Sequence, residues 1–203
     1  MSKELLSRLP VSLADTLAPA VDAGVLRPLD IALVQLLARH SDQPCDTTLT
    51  LAAWCSQQHG SGHICLNIAD SCATPEQLLP EQTQQKAGAM AWWQQQNAAD
   101  LLTRLGASRL VDAEGDREGN TPLVLDNGRL YLRRNWRDEV DVSDGVQQRL
   151  HQPVNLPSEL AHQLDALFPP QPDIDWQKVA CAMAARSNLT LITGGPGTGK
   201  TTT

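Results

Sequence analysis

No run of 18 apolar residues occurs in the 203-residue sequence, and its start has no apolar stretch of the kind a signal peptide carries. These absences predict no membrane span and no secretory leader, hence a cytoplasmic chain. There is no C-x-x-C pair, and no Cys/His set has zinc-finger spacing. The five cysteines (Cys45, Cys55, Cys65, Cys72 and Cys181) are odd in number and irregularly placed, which fits reduced thiols better than a disulfide framework. His59 and His63 lie four apart, but Gly60 and Gly62 interrupt any helix that would pair them, so no metal centre is expected there. Positive charge is also short. A net charge of −7 argues against a nucleic-acid surface by bulk charge, although a local basic patch is compatible with it. Aromatic residues make up 3%, and five of them are Trp.

What is present points to the last stretch. Leu189-Thr190-Leu191-Ile192-Thr193 is uncharged and rich in β-branched and Leu residues, which predicts a short buried strand. Gly194-Gly195-Pro196-Gly197-Thr198-Gly199-Lys200-Thr201 follows and fits G-x-x-x-x-G-K-[ST], the phosphate-binding loop of nucleotide hydrolases. Glycines let successive backbone N–H groups turn towards phosphate oxygens. Lys200 supplies a cation for the β- and γ-phosphates, and Thr201 a hydroxyl ligand for Mg²⁺. A helix starting near Lys200 would aim its positive end at the same anion. The alternative is a glycine-rich turn without a ligand.

Such a loop works within a larger αβ domain, beside parallel strands and with a later acidic residue holding the metal. Thr202 and Thr203 are all that follow Thr201 here. The expectation is therefore a truncated chain that carries the phosphate loop without the rest of the motor and hydrolyses nothing by itself.

Upstream, 203 residues with 41% hydrophobic content leave room for one or two domains and a real core. Leu5, Leu6, Leu9 and Leu13 recur at helical spacing, with Pro10 marking a break and Pro19 making a continuous second helix doubtful. Pro28 and Asp30 open a strong Leu-rich helix closed by Arg39 and His40. These helices read either as plain core or as a partner-binding face. Thr47 to Gln58 predicts a further helix, and Ile64, Leu66 and Ile68 alternate as a short strand. Residues 82–105, rich in Ala and Gln, read as one amphipathic helix stopped by Gly106.

Leu123-Val124-Leu125 and Leu130-Tyr131-Leu132 flank Asn127-Gly128, the strongest short hairpin signal. Arg129, Arg133, Arg134 and Arg137, interleaved with Tyr131 and Trp136, form the one basic cluster. It reads either as a nucleic-acid contact or as a solvated face pairing with Asp138 and Glu139. The Pro-containing link at 152–157 marks a domain boundary. After it, Asp175 is placed to cap a helix from Trp176. The fold class expected is mixed: a mainly α N-terminal domain with a β-hairpin (1–152), then a linker helix and the first elements of an α/β RecA-like ATPase domain (153–203).

Three stretches together resemble one family. They are Ile174-Asp175-Trp176-Gln177-Lys178-Val179-Ala180 with the glycine loop and Thr202, Gly128 to Trp136, and Gly24-Val25-Leu26-Arg27-Pro28-Leu29-Asp30. The sequence is similar to RecD, the α subunit of the RecBCD exonuclease V complex and a superfamily-1 helicase. The resemblance covers the chain but only the N-terminal third or so of a RecD subunit. It implies a 5′-to-3′ ATP-driven DNA helicase acting with RecC and RecB in double-strand-break repair and recombination. It implies ATP and Mg²⁺ as cofactors, held by residues 194–202. By the same resemblance Gln177 reads adenine through its amide, which offers one donor and one acceptor. It also implies that residues 1 to about 150 dock on RecC. DNA is then contacted through the full-length parent, and no membrane is involved. The metal-binding acidic motif, arginine finger and second motor domain of the family have no counterpart among these residues. An interaction module docking RecC, with the glycine loop as a passenger, is the competing reading.

Overall fold

The structure is a computed structural model that describes residues 2–80, 83 and 86–196. The chain divides into two units, residues 1–138 and 139–203.

The first unit is built around one helix. Helices α1 (Ser2–Leu6), α2 (Val11–Asp22) and α3 (Pro28–His40) lead to α4 (Asp46–Gly60). In α4 every residue from Thr48 to Gln58 is buried, because neighbours cover it on all sides: α2, α3, α7 (Ala98–Gly106) and the strands β1 (Cys65–Asn67) and β4 (Arg129–Leu132). A helix covered all round needs no single apolar stripe, which is why its polar Gln57 and Gln58 are inside. Both send side-chain amides to the Leu78 carbonyl, as buried polar groups must find partners.

Pro10 separates α1 from α2 as its missing N–H dictates, but α2 runs through Pro19. Pro19 lies in its last turns, and its own carbonyl still accepts from the Ala23 N–H. At the head of α3, Pro28 occupies the first turn. Asp30 there is fully buried and accepts from the Arg27 N–H at 2.8 Å, the Arg27 guanidinium and the Ser56 hydroxyl at 2.7 Å. Arg27 also donates to the Ser56 carbonyl at 2.9 Å, tying α3 to α4.

A four-stranded sheet, in the order β1-β4-β3-β2, adds β2 (Val111–Asp112) and β3 (Leu123–Asp126). β4 pairs antiparallel with both β1 and β3, and β2 pairs parallel with β3. The expected hairpin forms, with Asn127 and Gly128 at φ 48° and 75°. This is the doubly positive geometry that a two-residue turn on twisted strands requires.

The expected long helix over 82–105 does not form. The described part is α6 (Lys86–Met90), a 3₁₀ turn at Trp93–Gln95 and then α7. Asn97 causes the restart: its side-chain oxygen accepts from the N–H groups of Ala99 and Asp100 and so caps a new helix. Trp92 and Trp93 fall at the break, and Trp93 is fully buried edge-on to both Trp92 and Trp54. Helix α5 (Ile68–Ala73) starts where the alternation at 64–68 suggested strand, capped by Asn67.

The division between the units falls within α8 (Arg133–His151). The second unit continues with α9 (Leu160–Leu167) and α10 (Trp176–Ala185). Among the described residues after Trp136, none is buried. The strand expected over 189–193 is not formed, and Leu191 is 85% exposed. A strand is stable only with a partner, and among the described residues none pairs with this segment. The architecture is thus mixed and mainly α, with one small sheet.

Candidate functional site

Helix α10 positions the first sequence-derived residue. Asp175 Oδ1 accepts from the N–H groups of Gln177 and Lys178 at 3.0 and 3.1 Å, so the helix begins as its capping residue predicted. Lys178 donates to Asp165 of α9 at 2.6 Å, and this contact holds the exposed Asp165 carboxyl below the usual carboxylate range. The segment after α10 is tethered at its root, where Asn188 Nδ2 donates to the Gln152 carbonyl at 2.9 Å and Ser187 Oγ to the Leu189 carbonyl at 2.7 Å.

Between α10 and this segment lies an open cleft of about 520 Å³. Gln177 and Gly194 line it together with the apolar Val179, Met183, Leu191 and Ile192. Thr190 also lines it, with its Oγ1 buried and without a hydrogen-bond partner. A largely apolar slot with an amide-bearing residue in its lining is of the kind that takes a flat ring with hydrogen-bonding groups. The structure therefore brings Gln177 and Gly194, 17 positions apart in sequence, to one cleft. Gly195 and Pro196 follow, both exposed. Gly197, Thr198, Gly199, Lys200, Thr201 and Thr202 lie outside the described residues.

The arginine cluster of the first unit is shared among separate tasks. Arg133 is buried and pairs with Asp112 at 2.8 Å while donating to the Asp116 carbonyl at 2.7 Å. Arg137 donates to the carbonyls of Arg117 and Gly119 at 2.9 and 2.8 Å, and Arg134 approaches Asp138 at 3.8 Å. Arg133 and Arg137 thus hold the loop 112–121 in place. The alternative of pairing with nearby acids holds for Arg134. What sequence spacing missed is the partner Asp112, 21 residues upstream of Arg133. The one available signal was an Asp opening a Gly-containing turn, since its carboxylate accepts three successive N–H groups at Glu114, Gly115 and Asp116.

The first unit also presents apolar surface. Val11, Leu29 and Leu36 are 76%, 67% and 54% exposed, and Leu29 and Leu36 are two turns apart on α3, on one face. A groove of about 390 Å³ at α1 and α2 is lined by Leu6, Leu9, Val11, Ala14 and Ala18, with Asp15 and Asp22 also lining it. Among the described residues, no cluster of His, Cys, Asp and Glu is placed to hold a metal ion, and no helix is long and apolar enough to cross a membrane. His59 faces the Asn135 amide at 3.0 Å.

Against known proteins, residues 22–131, just over half the chain, match the family model of the RecBCD enzyme subunit RecD, N-terminal domain. The chain is similar to the RecBCD enzyme subunit RecD of Mycobacterium tuberculosis (strain H37Rv), at 40% identity over 188 residues, 89% of this chain and 28% of that protein. It is similar to the same subunit of Buchnera aphidicola from Acyrthosiphon pisum, at 26% over 193 residues, 92% of this chain and 29% of that protein. The subunit of Haemophilus influenzae is 42% identical over 86 residues, 40% of this chain and 13% of that protein. The chain thus spans less than a third of the length of these relatives.

Proposed function

Because the chain belongs to the family of RecD N-terminal domains, we propose that it is the N-terminal part of a RecD-type, ATP-dependent 5′-to-3′ DNA helicase subunit of exonuclease V, serving double-strand-break repair and recombination in the cytoplasm. The observation that supports this most is where the family match falls. Residues 22–131 lie within the well-packed first unit and contain all of α4 and the hairpin up to Tyr131. On this reading the first unit docks on the RecC subunit, within a complex that includes RecB, and the second unit opens a RecA-like ATPase domain.

The division of labour at the nucleotide follows from residue chemistry. Gln177 pairs with the adenine edge through its amide, beside the apolar walls of the cleft it shares with Gly194. The glycine loop from Gly194, in which Pro196 has no N–H to give, would offer its other backbone N–H groups to the phosphates. Lys200 stabilises charge that develops on the γ-phosphate as water attacks in line, and Thr201, next to Thr202, would hold Mg²⁺. The metal, when bound, supplies neutralisation of the β- and γ-oxygens. The 203 residues alone turn over no ATP on this reading, and DNA is contacted through the longer parent.

Titration of a fluorescent ATP analogue with Mg²⁺ tests the site. The expected result is saturable binding that Lys200→Ala abolishes and Gln177→Ala weakens about tenfold. Binding indifferent to both substitutions would contradict the assignment. A second reading, favoured by the exposed Leu29 and Leu36 and the groove at α1 and α2, is a docking module for RecC with the glycine loop as a passenger. No analogue binding to either form would leave that reading standing.

A further inference from the structure

Trp54, Trp93 and Trp136 are buried and Trp92 is half-buried, as so large an apolar ring usually is. Trp176, the fifth, is 71% exposed. It is the first residue of α10 and lines the cleft that Gln177 and Gly194 share. Val179 and Met183 follow at i+3 and i+7 and line the same cleft, which places all three on one side of the helix. The start of that helix is fixed, because Asp175 accepts from the N–H groups of Gln177 and Lys178, just beyond Trp176. An exposed apolar face bordered by polar groups marks a binding groove. The polar groups narrow what it takes. An aliphatic side chain laid in the cleft would cover its walls but leave the buried Thr190 hydroxyl without a partner. A purine offers a flat face to an indole and ring nitrogens that accept from a hydroxyl.

We propose that Trp176 is the stacking platform for the base of the bound nucleotide, with the purine against its indole while Gln177 pairs with the base edge. This rests on the reading of the cleft as a nucleotide site and adds the source of its binding strength. The cleft is open, and water there competes with a single amide hydrogen bond. Stacking of a base on an aromatic ring persists in water and tolerates any base. Gln177 thus selects the base and Trp176 holds it.

The test follows the intrinsic tryptophan emission of the 203-residue chain as ATP with Mg²⁺ is added, beside titration of the fluorescent ATP analogue. Saturable quenching is expected in the natural sequence. Trp176→Phe, which keeps a ring, is expected to lose the quenching and bind the analogue within about threefold of the natural chain. Trp176→Ala is expected to weaken the analogue about tenfold, with the circular dichroism unchanged. Saturable binding that leaves the emission of the natural chain unchanged, or is as tight in Trp176→Ala, would overturn the stacking and leave Gln177 and Lys200 as nucleotide residues. Emission unchanged by ATP together with no analogue binding would overturn both the stacking and the nucleotide reading of the cleft.

Discussion

Arg133 shows how much one side chain can organise. It and Asp112 are 8% and 9% exposed, and their pair closes a loop whose backbone donors also converge on the same carboxylate. Burial would raise the Asp112 carboxyl, but Arg133 and the three N–H groups more than offset this and hold it below the usual range. Arg133→Ala leaves Asp112 without its cation and is expected to cost about 3 kcal/mol at pH 7. The sign of the pH dependence follows from linkage. A depressed folded-state value means that this stabilisation is fully present above the unfolded value of about 3.9 and is lost as pH falls through the lower, folded one. Urea unfolding of both proteins at pH 7 and at pH 2.5 checks this, with the gap between them expected to narrow in acid. A gap that is small at pH 7, or unchanged in acid, would contradict the assignment.

Among the elements, the β3–β4 hairpin is the one whose geometry follows most directly from two residues. Gly128 has open space where a Cβ would go, so any cost of substituting it is a backbone cost. With φ at 75°, Gly128→Ala is expected to lose about 1 kcal/mol and Gly128→Val more. The urea midpoint should fall with its slope unchanged, and an unshifted midpoint would contradict the turn assignment. This hairpin was legible in the sequence because Asn-Gly chemistry is local. So were the break at Pro10, the start of α3 at Pro28 and the Asp175 cap. Most of the features that were not legible depend on contacts distant in sequence, the local Asn97 cap being the exception. The 82–105 stretch has helical composition throughout, but burial of Trp93 against Trp54 and the Asn97 cap divide it. The 189–193 segment has strand composition, but among the described residues no neighbouring strand pairs with it. The arginine cluster looked like a surface feature because its spacing gave no sign that Arg133 turns inward to Asp112.

At the scale of the whole molecule, the buried core lies in the first unit, and among the described residues none after Trp136 is buried. The RecD family match lies in that same first unit. Of the candidate sites, only Gln177, Gly194, Gly195 and Pro196 are placed by the structure, and the cleft shared by the first two was not readable from spacing alone. We propose that the first unit is a docking domain for a larger partner, with exposed Leu29 and Leu36 as part of its contact. The most direct measurement mixes the chain with purified RecC subunit and follows complex mass by sedimentation velocity. A one-to-one complex is expected, matched by residues 1–152 alone and weakened about tenfold or more by a Leu29→Asp, Leu36→Asp double substitution that leaves the fold intact. A chain that stays at its own 22.0 kDa across micromolar mixtures would contradict it.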